Sequence, residues 1–473
     1  MKKILFTGLS VLVITVSLHA QNWSKLGGSN GLNIGLDGVS VCTDPLGNVY
    51  AAVYDDSEAD TYVYKWDGTS WINLQQPGIQ SFSDEIMAIC SDLNGNIYTG
   101  GFFTNSDSSF ENGGHTYVAK WDGTSWSQVG NSLTDFIASF CFDKQGNMYV
   151  ACDTNVFKLV GNTWVELGTG ANALHPNSNL NTICVDTNDN IYVAGKFTDG
   201  AVNQEGNLYV AKWNGSSWSE LGNGICPRPI EQDGQIFSIL ADAQGNIYAG
   251  GVLDDSVTGQ DIEVSKWDGA SWNGLGGNTP GTYPNGGGVN QICFDPLGNL
   301  YAAGFFADLS GHPYVAKWNG TSWDEVGTGN NALNANSWIE TIASDIHGNI
   351  YAAGEFTDTS VTFEVDTLGP NTYLNQHPGY IAKYTNPTAG VTSISEITGV
   401  SVYPNPANDE LNISTSSEGI SYRLISIRGV SLTSGSLQQG NNNVSLNGFA
   451  SGMYILEMKG DDGQMKVVRV VKD

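Results

Sequence analysis

The chain has 473 residues, room for two or three domains. Only 14% of them are charged, split as 19 Lys+Arg against 48 Asp+Glu for a net −29, and they are joined by 59 Gly and 13 Trp. Few charges with many aromatics exclude a disordered chain, the scarcity of Lys/Glu/Ala-rich stretches argues against helical bundles, and the acidity excludes nucleic acid and anionic lipid as partners.

Met1–Ala20 reads MKKILFTGLSVLVITVSLHA. Lys2 and Lys3 precede a short apolar run from Ile4 to Leu18, and Ala20 fits the position before a cleavage site. Residues 1–20 are therefore expected to be a secretory signal, too short for a membrane span. No Cys follows at a lipoprotein position. No later stretch reaches 18 apolar residues, so no membrane span is expected in the mature chain.

Residues 21–385 repeat one unit seven times. A turn motif of the form Asp-x-x-Gly-Asn-aliphatic-Tyr starts at Asp44, Asp92, Asp143, Asp186, Asp242, Asp295 and Asp345; Asp189 stands for Gly in the fourth copy and Met148 takes the aliphatic place in the third. Each is followed by a version of Ala-Lys-Trp-Asp-Gly-Thr-Ser-Trp, as at Lys120-Trp121 through Trp126. Periods of 40–50 residues with four strand-like pieces mean propeller blades. Each unit divides into strand a (IMAICSD in the second copy), strand b (NIYTGGFF), strand c (YVAKW) and strand d (TSWSQVG). Asp-Gly and Asn-Gly between c and d predict two-residue hairpins with both residues at positive φ. The seventh copy stops at Lys383-Tyr384, and Asn22–Gly27 is a strand d with nothing before it. The N-terminal strand is thus expected to close the ring as the outer strand of blade seven, removing a free edge. The fold class is all-β: a seven-bladed β-propeller of four-stranded blades, followed by a small β-sandwich.

Repetition in register makes most of the repeated residues architectural. Twelve of the 13 Trp lie in the motif and are expected between blades. Cys42, Cys90, Cys141, Cys184 and Cys293 all stand two residues before the motif Asp, where Leu240 and Ala343 stand in the other copies; an apolar role explains that exchange and a disulfide does not. Cys152, in place of a strand-b Gly, and Cys226, in a loop, break the pattern. The recurring lysines before the strand-c Trp are expected to lay their stems on the blade and pair with an acid. Asp92 and Asp186 begin turns that mimic a calcium loop but lack its distal Glu. Asp-Gly-Thr-Ser-Trp resembles the sialidase Asp box in the wrong register, and the single propeller Arg, Arg228, cannot supply that family's arginine triad.

Strand order puts the short a–b and c–d turns on one face and the longer b–c and d–a loops on the other. Functional residues usually sit on such loops over a rigid scaffold. The candidate binding residues are there: Trp338, the one Trp outside the repeat, as a stacking platform, and His115, His312 and His377 just before strand c. The acidic loops offer Asp55, Asp56, Asp254 and Asp255 as cation contacts. No cofactor is required by any motif, and calcium is the cation these loops would suit.

After a linker at 386–397, residues 398–473 change character, with no Trp and no Cys. Tyr403-Pro404-Asn405-Pro406, Leu411-Asn412-Ile413, Gly452-Met453-Tyr454-Ile455-Leu456 and Lys466-Val467-Val468-Arg469-Val470-Val471-Lys472 occur in that order. This segment resembles the type A C-terminal sorting domain of the type IX secretion system. The resemblance implies a sandwich fold and contact with the secretion machinery. The secretion signal would rest on Pro404, Asn405, Pro406, Gly452, Tyr454, Lys466 and Lys472. The product would lie outside a Gram-negative cell, free or on its outer-membrane surface.

The expected function is a secreted or cell-surface binding or adhesion protein whose partner is an extracellular glycan, a protein or a cation. The alternative is a secreted propeller enzyme, a metal-assisted polysaccharide lyase or hydrolase using carboxylates on the loop face, whose catalytic residues the sequence does not mark.

Overall fold

The computed structural model describes residues 23–27, 32, 39–55, 60–75, 82–104, 114–199, 206–228, 234–253, 264–275, 288–308, 310–327, 332–356, 380–386, 397, 399–426, 431–449, 452–460 and 465–472. Seven antiparallel sheets follow the seven repeats, each in the order a-b-c-d. In blade two these are Ile86–Ser91, Ile97–Gly101, Thr116–Trp121 and Trp126–Leu133. Strand b is buried along its whole length there, covered on both sides by neighbouring blades. Such strands carry unbroken runs of apolar and small residues for that reason, without the alternation of a half-exposed strand.

The seventh blade joins the two ends of the ring. Ile339–Ser344, Ile350–Gly354 and Ala382–Tyr384 supply strands a to c, and Trp23–Lys25 is the outer strand. Trp23 lies opposite Tyr384 and Lys25 opposite Ala382. Leu26 is buried and its N–H donates to the Ile381 carbonyl at 2.8 Å. Closure by the N-terminal strand, expected from the missing half-repeat, is present.

Packing between blades repeats as well. The Trp23, Trp218, Trp272 and Trp323 indoles each donate Nε1–H to a carbonyl of the preceding blade at 2.7–2.8 Å. The Nε1 atoms of Trp71, Trp126 and Trp164 are buried without such a partner among the described residues. Around the axis, the inner edge of strand a would leave backbone N–H groups bare. The residue four before the motif Asp caps the next blade instead: Thr182 Oγ1 accepts from Ile239 N, Ser238 Oγ from Ile292 N, Gln291 Oε1 from Ile342 N and Thr341 Oγ1 from Val41 N, at 2.8–3.3 Å. A paired edge cannot recruit another chain.

Two sequence expectations are altered in detail. The c–d hairpins of five blades are four-residue loops, since Trp66 pairs with Trp71 and Trp121 with Trp126, while blade three turns on the two residues Gly161-Asn162. Only the Gly takes positive φ, 99° at Gly68. Asp67 is not at positive φ, and its Oδ1 accepts from the Thr69 and Ser70 N–H groups, which fixes the turn from outside the backbone. Next, the recurring lysines face aromatic rings. Lys65 Nζ stands 5.5 Å from the Tyr50 ring centre, and the other six repeat the arrangement at 5.1–5.7 Å. The acid is reached through that tyrosine, whose hydroxyl donates to the motif Asp. The paired small residues of strand b do two jobs. A Cβ on Gly100 would fall 2.5 Å from Ile137 of the next blade, and one on Gly101 would fall on the Glu85 carbonyl of its own blade.

The cysteines at the repeated position are unpaired, and burial pushes the Cys42, Cys90, Cys141, Cys184 and Cys293 thiols up. Cys152 is also free; burial, then Asp135, raise its thiol to about 12, and its Sγ donates to the Asp135 carbonyl at 3.2 Å. The Cys226 side chain lies outside the described residues.

The C-terminal segment forms a three-stranded and a four-stranded sheet, with a core of Leu411, Ile413, Leu424, Leu456 and Val470 between them. Among the described residues no helix is long and apolar enough to cross a membrane.

Candidate functional site

The two faces of the ring differ in how their polar atoms are used. On the turn face, Asp44 Oδ1 accepts from Leu46 N and Asn48 N, both at 2.9 Å; its Oδ2 accepts from Asn48 Nδ2 at 2.6 Å and Tyr50 OH at 3.2 Å. The same four bonds recur at Asp92, Asp143, Asp186, Asp242, Asp295 and Asp345. Burial, and then the neighbouring carboxylate, hold the Tyr50 phenol far above its ordinary range. A calcium ion at these turns would have to displace all of those donors. Glycine supplies positive φ at the fourth position, and Asp189 takes φ 62° itself where Gly is missing.

The loop face is built differently. Six blades carry a β-bulge at the start of strand a, as between Ile236 and Ser238 and between Ile339 and Thr341. A bulge inserts one residue and re-aims its side chain. The inserted residues are Met87, Ala138, Asn181, Phe237, Asn290 and Glu340, and the second strand-b Gly lies where the bulged backbone comes closest. Asn181 Nδ2 donates to the Ile236 carbonyl of the next blade at 3.1 Å, and Glu340 Oε2 accepts from Val39 N at 3.2 Å. Phe237 meets Phe305 with ring centres 6.4 Å apart, and Phe305 meets Trp338 edge-to-face at 4.8 Å. Blades five, six and seven thus share a run of three aromatic rings at the loop ends of their inner strands. Trp338, at its end, is 43% exposed. Beside it Ser337 Oγ donates to Glu355 Oε2 at 3.1 Å. A shorter stack, Phe102 on Phe136 at 5.0 Å, occupies the corresponding place on blades two and three.

Of the expected site residues, Trp338 is therefore placed among aromatic neighbours. His115 is exposed before its strand c. His312 Nδ1 lies 3.8 Å from Asp308 Oδ2, and its N–H donates to Asp308 Oδ1. His377, Asp56, Asp254, Asp255 and the Asp55 side chain lie outside the described residues. Among the described residues no three His, Cys, Asp or Glu side chains gather as a metal site would need. Phe237 and Phe305 were not singled out from the sequence. Phe237 lies inside a strand and Phe305 at a strand end, and the bulge that re-aims Phe237 leaves no mark in the residue pattern.

The residues expected to carry the secretion signal all lie in the C-terminal sandwich, Lys466 at the far end of the final strand from Lys472. Asn405 Oδ1 accepts from Val471 N at 2.8 Å and its Nδ2 donates to the Arg469 carbonyl at 2.6 Å. Pro404 and Pro406 flank it in cis bonds. Lys472 is buried and pairs with Asp409 at 3.2 Å. Tyr454 packs in the core, Gly452 holds φ 151°, and Lys466 lies on the last strand. The Tyr-Pro-Asn-Pro run and the final strand meet through pairs 64 and 66 residues apart in the chain.

Residues 401–472 match the family model of the secretion system C-terminal sorting domain. No curated protein matches the chain. Among solved structures, PorZ, described as an essential bacterial surface component of the type-IX secretion system of Porphyromonas gingivalis, is 17% identical over 93% of this chain and 59% of its own, with a TM-score of 0.49. The extracellular domain of a hybrid two component system from B. thetaiotaomicron is 11% identical over 96% of this chain and 57% of its own, TM-score 0.48. The propeller domain of the Trilobed protease from Pyrococcus furiosus is 11% identical over 67% of this chain and 91% of its own, TM-score 0.46. The chain thus spans less than two thirds of the first two. The blades and the matched tail together make this chain a β-propeller that carries a type IX sorting domain and is directed to the cell surface or the extracellular space.

Proposed function

We propose that the propeller is a surface-displayed glycan-binding module, and that sugar rings stack on the Phe237–Phe305–Trp338 run at the loop face. The observation that supports this reading is the run itself. Three aromatic side chains from three successive blades are held by inner strands, two of them partly exposed and one exposed. Rigid aromatics at a partly wet site lose little entropy on binding, and their apolar faces suit the C–H faces of sugars. The Ser337–Glu355 pair and Glu340 are polar groups near the run that can take sugar hydroxyls. The domain division into a leader at 1–20, a ring at 21–385, a linker and a sorting domain from 398 belongs to the same proposal: the tail delivers, and the ring binds.

The test is a glycan array with the full chain and with Trp338→Ala. A saturable hit that falls at least tenfold in the variant, with the melting temperature unchanged, is the expected result. A flat array, or a hit indifferent to Trp338, overturns the reading.

A further inference from the structure

We propose that blade four holds a second binding site, for the ammonium group of a lysine side chain or other alkylamine. A cavity of about 330 Å³ opens there, with Leu174, His175, Asp199, Tyr209, Trp218 and Glu220 among its walls. Two walls are aromatic, two are carboxylates, and no lysine or arginine is among the described residues that line it.

The protein itself displays the recognition chemistry in blade seven. Lys25 pairs with Ala382 in that blade, and Glu220 pairs with Ala211 in blade four; the two positions are equivalent in register. Tyr380 and Tyr209 each stand two residues before those alanines. In blade seven the Lys25 ammonium lies over the Tyr380 ring, 5.7 Å from its centre. Blade six, where Glu325 pairs with Ala316, places His312 beside the acids Asp308 and Glu325. Blade four keeps the tyrosine and the acid pair but has Glu where blade seven has Lys. Tyr209 is set firmly by an edge contact with Phe197 at 4.6 Å, and Asp199 by two bonds from Asn207. Burial, and then Asp199, raise the Glu220 carboxyl above its usual range, against a bond from the Gly224 N–H; an arriving cation would relieve that repulsion. A cation over an aromatic face beside carboxylates is a recognised mode for ammonium ligands.

The test is calorimetry of the full chain with Nα-acetyl-lysine amide and its uncharged norleucine analogue, up to 10 mM. Wild type should bind the lysine probe and not the norleucine one. Glu220→Gln should weaken binding at least tenfold. Glu220→Lys should abolish it, because the new side chain repeats the Lys25 arrangement and fills the site from within. Glu325→Gln in blade six and Trp338→Ala at the loop face should leave it unchanged, which separates this site from the glycan site. Circular dichroism melts confirm that each variant folds. No binding to wild type, equal binding of norleucine, or full binding by folded Glu220→Lys overturns the proposal.

Discussion

The turn face and the loop face are made from the same seven repeats, yet they spend acidic residues in opposite ways. Every motif Asp on the turn face has both oxygens occupied by donors of its own turn. On the loop face, Asp199 and Glu220 repel each other across a cavity, and Glu340 and Glu355 accept bonds from Val39 N and Ser337 Oγ near the exposed Trp338. Charge alone therefore says little about where this protein binds. A carboxylate that is fully satisfied is scaffold, and one left with spare acceptors is available.

Substitutions can break this comparison if the two faces turn out to respond alike. Removal of residues 22–27 should cost the most. It deletes the blade-seven outer ladder, the Trp23 bond to Val326 and the buried Leu26, about 5 kcal/mol in all. A differential scanning calorimetry trace shifted down by about 5–10 °C is expected, and an unchanged trace would refute ring closure. Asp345→Ala follows, at about 3–5 kcal/mol, because it orphans the N–H groups of His347 and Asn349 and the hydroxyl of Tyr351 in a buried turn. Urea unfolding would measure it. Gly304→Ala drives a methyl into the Gly288 carbonyl, next to the bulge, and should cost about 2–3 kcal/mol. Trp338→Ala, on the loop face, should cost under about 1 kcal/mol. A larger loss would mean that the aromatic run is structural.

The smallest effect is a pH effect. Backbone and hydroxyl donors at Ser70 and Thr69 hold the Asp67 carboxyl down to about 2, and Ser125 and Thr124 do the same for Asp122. Both values are lower than in an unfolded chain, so the stabilisation is present above about pH 4 and is lost as pH falls towards 2. Asp67→Asn/Asp122→Asn should lower the melting temperature by about a degree or two at pH 7, and the difference from wild type should vanish as pH falls towards 2.

The ring was legible because its grammar is local. The Asp turn, the Gly at positive φ and the paired Trp of most c–d hairpins are fixed by residues within eight positions of one another. Even the closure by Trp23–Lys25 could be read, since a strand d without its blade and a blade without its strand d have one joint solution. The loop geometry of the hairpin was misjudged because an Asp-Gly pair is shared by two turn types, and only the side-chain bonds to Thr69 and Ser70 select between them. The aromatic run was not legible. Phe237 sits in an ordinary strand position, and its approach to Phe305 depends on a bulge and on the angle between blades, neither of which has a residue signature. The blade-four cavity escaped for a similar reason. Glu220 looks like any outer-strand acid until its register is compared with that of Lys25.

Ring closure also has a mechanical side. The sorting tail leaves the propeller just after Tyr384, on a strand of blade seven that is paired along both edges, with Tyr351 and its neighbours on one side and Trp23–Lys25 on the other. Ser24 and Lys383 face each other although 359 residues separate them. If the tail is held at the cell while the loop face grips a target, tension enters at Tyr384 and divides between two ladders instead of peeling an edge. The first strand of the ring then acts as a clasp over the point where the pull arrives.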